Sequence, residues 1–201
     1  MANAIISVAK IARPLTIKNS VIDLLAYKPD EPDFLDLETI FNPNNYVSNP
    51  AFVDLLDWEK HSEPGFDEDT QKVYEKVVAY VGGCWRGIIN HEAHRVIFRR
   101  IMSLGIMCPS RFIDFVEQRR PQALAILAHH FAMAKVADDH WLFRGFAMRE
   151  VEGITGLLPH SWRWAMEWPE NILQHGVVDV AAVTTLPSPK NFLTSQASKN
   201  A

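Results

Sequence analysis

Four groups of side chains in this 201-residue chain have types and spacings that bear on chemistry. The first is His91-Glu92-Ala93-His94. A helix-borne zinc site of the metalloprotease kind needs two histidines four residues apart, so that both rings meet one ion on one face. Here they stand three apart, the motif is incomplete, and the segment reads as a polar helix start after Asn90. The second is His129-His130 with Asp138-Asp139-His140, which invites a metal or acid–base reading. Successive helical residues point about 100° apart, so His129 and His130 are badly placed to share one ligand face. His130 follows Ile126 by one turn and neighbours Phe131 and Met133. That setting favours a core or pocket-lining histidine, then a polar group facing a ligand, ahead of a catalytic one. The third is the set Trp141, Trp162, Trp164 and Trp168, which either packs helices or lines an apolar pocket, with Met133, Met148 and Met166 as an adaptable wall. The fourth is Arg149-Glu150 with Glu152. An exposed charged stripe is its simpler reading and a buried Arg–Glu clamp the sharper one. Gly82-Gly83 lacks the Lys-Ser/Thr that follows in a phosphate loop. The chain thus carries no predicted catalytic residue, metal ligand or cofactor. The ligand-binding candidates are His130, Phe131, Met133, Trp141 and Trp168.

Composition narrows the class of protein that these groups serve. Apolar residues make up 48% and charged residues 22%, the balance of an ordinary globular chain. The net charge of -4 opposes a nucleic-acid grip, which draws most of its energy from neutralising phosphates. The densest basic cluster is Arg95, Arg99 and Arg100, followed by Arg111, Arg119 and Arg120. Arg95 and Arg99 share a helix face, and the cluster reads as a solvated one. Cys84 and Cys108 both sit in apolar surroundings and read as small buried thiols in a reducing compartment. The start of the chain lacks the basic and apolar regions of a signal peptide, and no apolar run is long enough to span a membrane.

The elements that must position these residues are helices. Residues 1–66 are broken by Pro14, Pro29, Pro32, Pro43, Pro50 and Pro64 into short pieces. Short helices are predicted over Ile5–Ala12, Ile17–Tyr27 and Ala51–Lys60, the last with Phe52, Leu55 and Leu56 on one face. From 67 to 104 one long helical stretch is predicted, with a break near Gly82-Gly83 and a stop at Gly105. Val73, Val77, Tyr80 and Val81 form its first apolar face; Val96, Ile97, Ile101 and Leu104 form its second. A short helix after Pro109 carries Phe112, Ile113, Phe115 and Val116. A longer one runs from Pro121 to about Ala137. The next runs from about Asp139 to Leu158, where Phe143, Ala147, Val151, Ile154 and Leu158 keep a sustained helical period. A last short helix is predicted from Pro169 to Leu173. The β-branched run Val177–Val183 reads as an extended tail, and the serine- and proline-bearing residues from about 185 read as disordered. The expectation is an all-α chain of seven to nine helices. Its parts are short helices and loops over 1–66, a helical body over 67–176 and a tail over 177–201.

Three motifs in this body carry a resemblance. Arg120-Pro121-Gln122-Ala123-Leu124-Ala125-Ile126-Leu127-Ala128-His129, then Trp141-Leu142-Phe143-Arg144-Gly145, then Trp162 with Met166-Glu167-Trp168-Pro169, occur in order over about 75 residues between Ile97 and Leu173. Together they resemble the C-terminal regulatory domain of fungal binuclear zinc-cluster transcription factors of the sterol uptake control type. The half before residue 90 resembles it only in its helical, proline-broken texture. The resemblance implies a helical regulatory domain, a nuclear location and an apolar pocket that takes a sterol-like ligand. The family's six-cysteine cluster holds two zinc ions through soft thiolates. With two cysteines, this chain is expected to lack that cluster and to make no direct contact with DNA by the family's mechanism.

The functional expectation is a transcription-regulator-like domain in the nucleus or cytoplasm. It would bind a hydrophobic small molecule or a protein partner and control a sterol or secondary-metabolite gene set. Two alternatives stand beside it: an enzyme of secondary metabolism that cyclises or isomerises a substrate in a helical apolar pocket, and a module that forms a homodimer.

Overall fold

The computed structural model describes residues 37–57, 67–139 and 143–177. Every regular element among them is helical, and no strand occurs among the described residues. The predicted helices over Ile5–Ala12 and Ile17–Tyr27, and nearly all of the predicted tail, lie outside this range.

Three short helices come first: α1 (Leu37–Ile40), α2 (Asn44–Val47) and α3 (Pro50–Asp54). α1 and α2 lie across α4 (Glu68–Ile89), the longest described helix, and α3 continues them as one strap. The side chain of Asn49 caps α3 by accepting from the Ala51 amide, and Pro50 takes the first-turn position that needs no donor. α3 is shorter than the predicted Ala51–Lys60 helix and gives way to a turn at Leu55 and Leu56. Phe52 and Leu55 are buried as their spacing required.

Asp67 caps α4, its carboxylate accepting from the Thr70 amide at 2.7 Å. That bond, with Arg111 nearby, holds the Asp67 carboxyl down at about 2. α4 runs unbroken through Gly82-Gly83, contrary to the predicted break. The glycines serve a close approach instead. A Cβ on Gly82 would lie 2.8 Å from the Asn45 carbonyl carbon and oxygen, and one on Gly83 would lie 3.1 Å from the Ile40 carbonyl oxygen. Their absent side chains let the strap backbone rest on the helix. The chain turns instead at Asn90–Ala93, where His91 adopts a left-handed φ of 54°.

Beyond that turn lie α5 (His94–Met107), α6 (Ser110–Glu117) and α7 (Pro121–Met133). α5 continues past Gly105 to Met107, so that glycine is not a stop. α7 is the centre of the fold. Every residue from Gln122 to Met133 is buried, because α4, α8 (Phe146–Leu157) and α9 (Glu167–His175) pack around it. A 3-10 turn over Ala134–Ala137 extends α7. α8 begins later than the predicted Asp139, after Gly145, whose φ of 70° suits the turn into the helix. Phe143, Ala147, Val151, Ile154 and Leu158 are all buried, as their period predicted. A 3-10 segment over His160–Met166 leads into α9, which starts two residues before Pro169 and extends to His175.

Candidate functional site

The predicted site residues distribute over two aromatic clusters on either side of α7. His129 and His130 point to different clusters, as their 100° offset requires. His129 is stacked on Trp168, ring centroids 5.1 Å apart and planes within 2°. Phe52 meets both rings edge-on, at 5.7 Å from His129 and 5.1 Å from Trp168, and Trp85 closes on Trp168 at 5.1 Å. Each such pair contributes about 0.5–1.5 kcal/mol beyond the area it buries. Phe131 belongs to the other cluster, meeting Phe146 at 5.5 Å, while Phe143 joins Phe146 at 5.6 Å and Phe98 at 4.8 Å. Met133 is fully buried. Trp141 lies outside the described residues.

Both histidines are core residues held by backbone oxygens. His129 Nδ1 lies 2.9 Å from the Ala125 carbonyl and His130 Nε2 lies 2.7 Å from the Ile101 carbonyl, so each ring is bonded through an N–H. Burial pushes both pKa values down to about 4, with the carbonyl bonds opposing only in part. They are therefore neutral near pH 7. Two polar atoms here are buried without a hydrogen-bond partner: His130 Nδ1 and Trp168 Nε1. One is an acceptor in this tautomer and the other a donor, and leaving such groups bare costs about 1–3 kcal/mol each.

The strap is tied down by a polar hub that the sequence did not reveal. Asn45 is buried, and its amide donates to the carbonyls of Thr39, Ile40 and Ala79 at 2.8, 2.9 and 3.3 Å. Its oxygen accepts from Arg86 Nη1 at 3.0 Å. Gln122, at the start of α7, donates to the Leu55 carbonyl at 2.7 Å. The one sequence signal for this contact was the glycine pair inside a long apolar face.

The charged residues depart from their simplest readings at two places. Arg100 is not solvated: its side chain is 12% exposed and its Nη1 lies 2.7 Å from Glu92 across Gly87. Glu150 is buried and accepts from Arg149 Nε at 3.3 Å, so it is not part of an exposed stripe. Asp138 accepts from Lys135 at 2.6 Å and from the Gly145 amide at 2.8 Å and so shapes the turn into α8. Glu92 is committed to Arg100 and His91 is exposed. Among the described residues no group of three or more metal-binding side chains converges. Cys84 and Cys108 are buried and form no disulfide, and burial pushes the Cys84 thiol up to about 12. No helix among the described residues is long and apolar enough to cross a membrane.

At the surface, α8 and α9 leave an open groove of about 320 Å³. Met148, Val151 and Thr155 line one wall and Leu173 and Gln174 the other, with Glu152 and Glu170 also in the lining. His130, Phe131, Met133 and Trp168 are not in its lining.

What emerges is an all-helical body organised around one fully buried helix. Part of the chain is similar to fungal transcription factors. The chain is 32% identical over 120 residues, 59% of its length, to a Zn(2)-C6 fungal-type transcription factor of Gibberella zeae. It is 32% identical over 65 residues, 32% of its length, to the Zn(2)-C6 fungal-type transcription factor afumD of Aspergillus fumigatus. These matches span only 23% and 17% of those longer proteins. No protein-family model and no solved structure matches the chain.

Proposed function

We propose that this chain is a helical regulatory domain of the Zn(2)-C6 transcription-factor kind, acting in the nucleus. In this reading it responds to a hydrophobic small molecule or a protein partner, and so adjusts expression of a sterol or secondary-metabolite gene set. The observation that carries the reading is the 120-residue similarity to a fungal Zn(2)-C6 transcription factor. The net charge of -4 and the two buried cysteines fit a domain that influences transcription without gripping DNA itself.

The ligand part of the reading draws on the α7 clusters. His130, Phe131, Met133 and Trp168 lie along or against α7, and Trp141 follows it in sequence. The unpartnered His130 Nδ1 and Trp168 Nε1 supply one acceptor and one donor in otherwise apolar surroundings. A flat, mostly apolar molecule with one hydroxyl matches either cluster, donating to His130 on one side of α7 or accepting from Trp168 on the other.

Tethering tests the regulatory claim. The chain fused to an unrelated DNA-binding domain is expected to change the output of a reporter in a fungal host, relative to that domain alone. Solvent extraction of the purified chain followed by mass spectrometry is expected to release an apolar molecule, and His130→Ala to reduce its yield. A reporter unmoved in either direction would remove the transcriptional reading. Clean extracts with an active reporter would remove only the small-molecule part and leave the protein partner.

A further inference from the structure

The Phe52–Leu55 stretch of the strap sits on the helical body as a ligand sits in a site. Its ring meets His129 and Trp168 edge-on at 5.7 and 5.1 Å, and Trp85 backs Trp168 at 5.1 Å. Three residues on, the Leu55 carbonyl accepts from the buried side-chain amide of Gln122 at 2.7 Å. The receiving side chains, Trp85, Gln122, His129 and Trp168, belong to α4, α7 and α9, so the body alone builds the socket. Trp168 Nε1 adds a buried donor without a partner. With Gln122 Nε2 that makes two donors, the complement of a carbonyl oxygen with its two lone pairs.

The strap is built to lift. Its helices have four, four and five residues, far below the ~12–15 at which a helix holds without tertiary support. Its seat on α4 is Ala79, Gly82, Gly83 and Arg86, one helix face of three small residues and an exposed arginine. Leaving that seat bares backbone and a charge but little apolar surface. Docking also buries Asn49 Nδ2 without a partner, a penalty that lifting removes by hydration. The apolar hold is concentrated in Ile40, Phe52 and Leu55. A molecule that carries its own ring and carbonyl repeats the contacts of the last two. We propose that Phe52–Leu55 is a built-in occupant of a binding site formed by Trp85, Gln122, His129 and Trp168, and that a small aromatic molecule bearing a carbonyl displaces it and lifts the strap. This rests on the small-molecule part of the regulatory reading, to which it gives a location and a ligand chemistry.

The probe is 4-phenyl-2-butanone, and its match is butylbenzene, in which a methylene replaces the carbonyl. Hydrogen exchange of the full chain is followed at the Phe52 and Val53 amides, which bond to the Asn49 carbonyl, and at the buried amides of α7. A probe that binds the lifted form is expected to speed strap exchange several-fold and to slow exchange in α7, because it stabilises the folded body against global unfolding. A molecule bound to the closed form slows both. Asn45→Ala cuts the ties to Ala79 and Arg86 outside the socket. It is expected to tighten probe binding about tenfold in an NMR titration, since apparent affinity scales with the fraction lifted. Gln122→Met is expected to lower the affinity of the ketone relative to butylbenzene about tenfold, the scale of leaving a buried carbonyl unpaired. Strap and α7 exchange that slow together would overturn the proposal. So would the absence of binding, an affinity indifferent to Asn45→Ala, or a ketone-to-butylbenzene ratio that Gln122→Met leaves unchanged. These readouts use the purified chain and no reporter, so they can fail while an active reporter and an extracted molecule keep the regulatory reading.

Discussion

Gly82→Ala is the sharpest perturbation of this fold, because two opposing effects of known size meet at one methyl group. In an open helix the change is favourable by about 1 kcal/mol, since alanine outranks glycine. At Gly82 the added Cβ would stand 2.8 Å from the Asn45 carbonyl carbon and oxygen and 2.9 Å from the Tyr46 amide nitrogen. These are backbone atoms of the strap and have no rotamer to yield. Relief requires lifting α2, which weakens the Asn45 bond to the Ala79 carbonyl and the Arg86 bond to Asn45. Overpacking of this kind costs about 1–3 kcal/mol, and each weakened buried bond about 1 kcal/mol more. The net expectation is a loss of roughly 2–4 kcal/mol, or about 4–16 °C in Tm for a chain of this size. Gly153→Ala in α8 is the matched control. Nothing lies within 4 Å of a Cβ there, so the same substitution should raise Tm by about 2–4 °C. Thermal unfolding followed by circular dichroism reads both. A Gly82→Ala protein as stable as the parent would refute the claim that the glycine pair exists to admit the strap.

Four further outcomes are expected. His129 and His130 titrate near 6.5 when unfolded and near 4 when folded, so the unfolded chain takes up protons first as the pH falls. Their stability contribution is complete above about 6.5 and erodes toward pH 4 by about 3 kcal/mol each. Urea midpoints measured from pH 7 to 4.5 should fall steeply and His130→Gln should flatten that slope, whereas a pH-independent midpoint would sink the assignment. Asn45→Asp is expected to cost more than Asn45→Ala, because a carboxylate would face the Thr39, Ile40 and Ala79 oxygens; urea denaturation ranks them, and the reverse order contradicts the hub. Trp168→Phe should cost under about 1 kcal/mol, since the indole N–H has no partner, while Trp168→Ala should cost about 3–5 kcal/mol; equal losses would show that the N–H is bonded. Cys84, with its thiol pushed up to about 12, should resist Ellman's reagent at pH 8 until the protein is unfolded, and rapid native labelling would contradict its burial.

The parts of the fold that were legible in the sequence are those where one face of a helix meets the core. The period through Phe143, Ala147, Val151, Ile154 and Leu158, and the short stripe Phe112, Ile113, Phe115 and Val116, are both buried as read. Local propensity misled where tertiary contact overrides it. Gly82-Gly83 reads as a break by propensity alone, and the strap resting on it is forty residues distant. Gly105 reads as a stop, but the helix carries on for two residues. Arg100 and Glu150 read as surface charges because their spacing is that of exposed positions, and only the facing elements bury them. Of the candidate site, the pairing of His129 with one cluster and His130 with another follows from helix geometry. The stacking of Trp168 on His129, and the edge-on contact of Phe52 with both, join segments 39 to 116 residues apart that no local pattern relates.

Two hydrogen bonds across the core have a mechanical consequence. Tyr80 of α4 donates through its hydroxyl to the Arg100 carbonyl at 2.5 Å, and His130 of α7 to the adjacent Ile101 carbonyl at 2.7 Å. In a helix those oxygens also serve the amides four residues on. A slide of α5 by one position would swing both acceptors through about 100° and unlatch both partners together. α4, α5 and α7 are therefore geared as a single rigid block. Relative movement within the described body is left to the pieces mounted on that block, the strap and the α8–α9 pair, which themselves meet where Phe52 packs on Trp168.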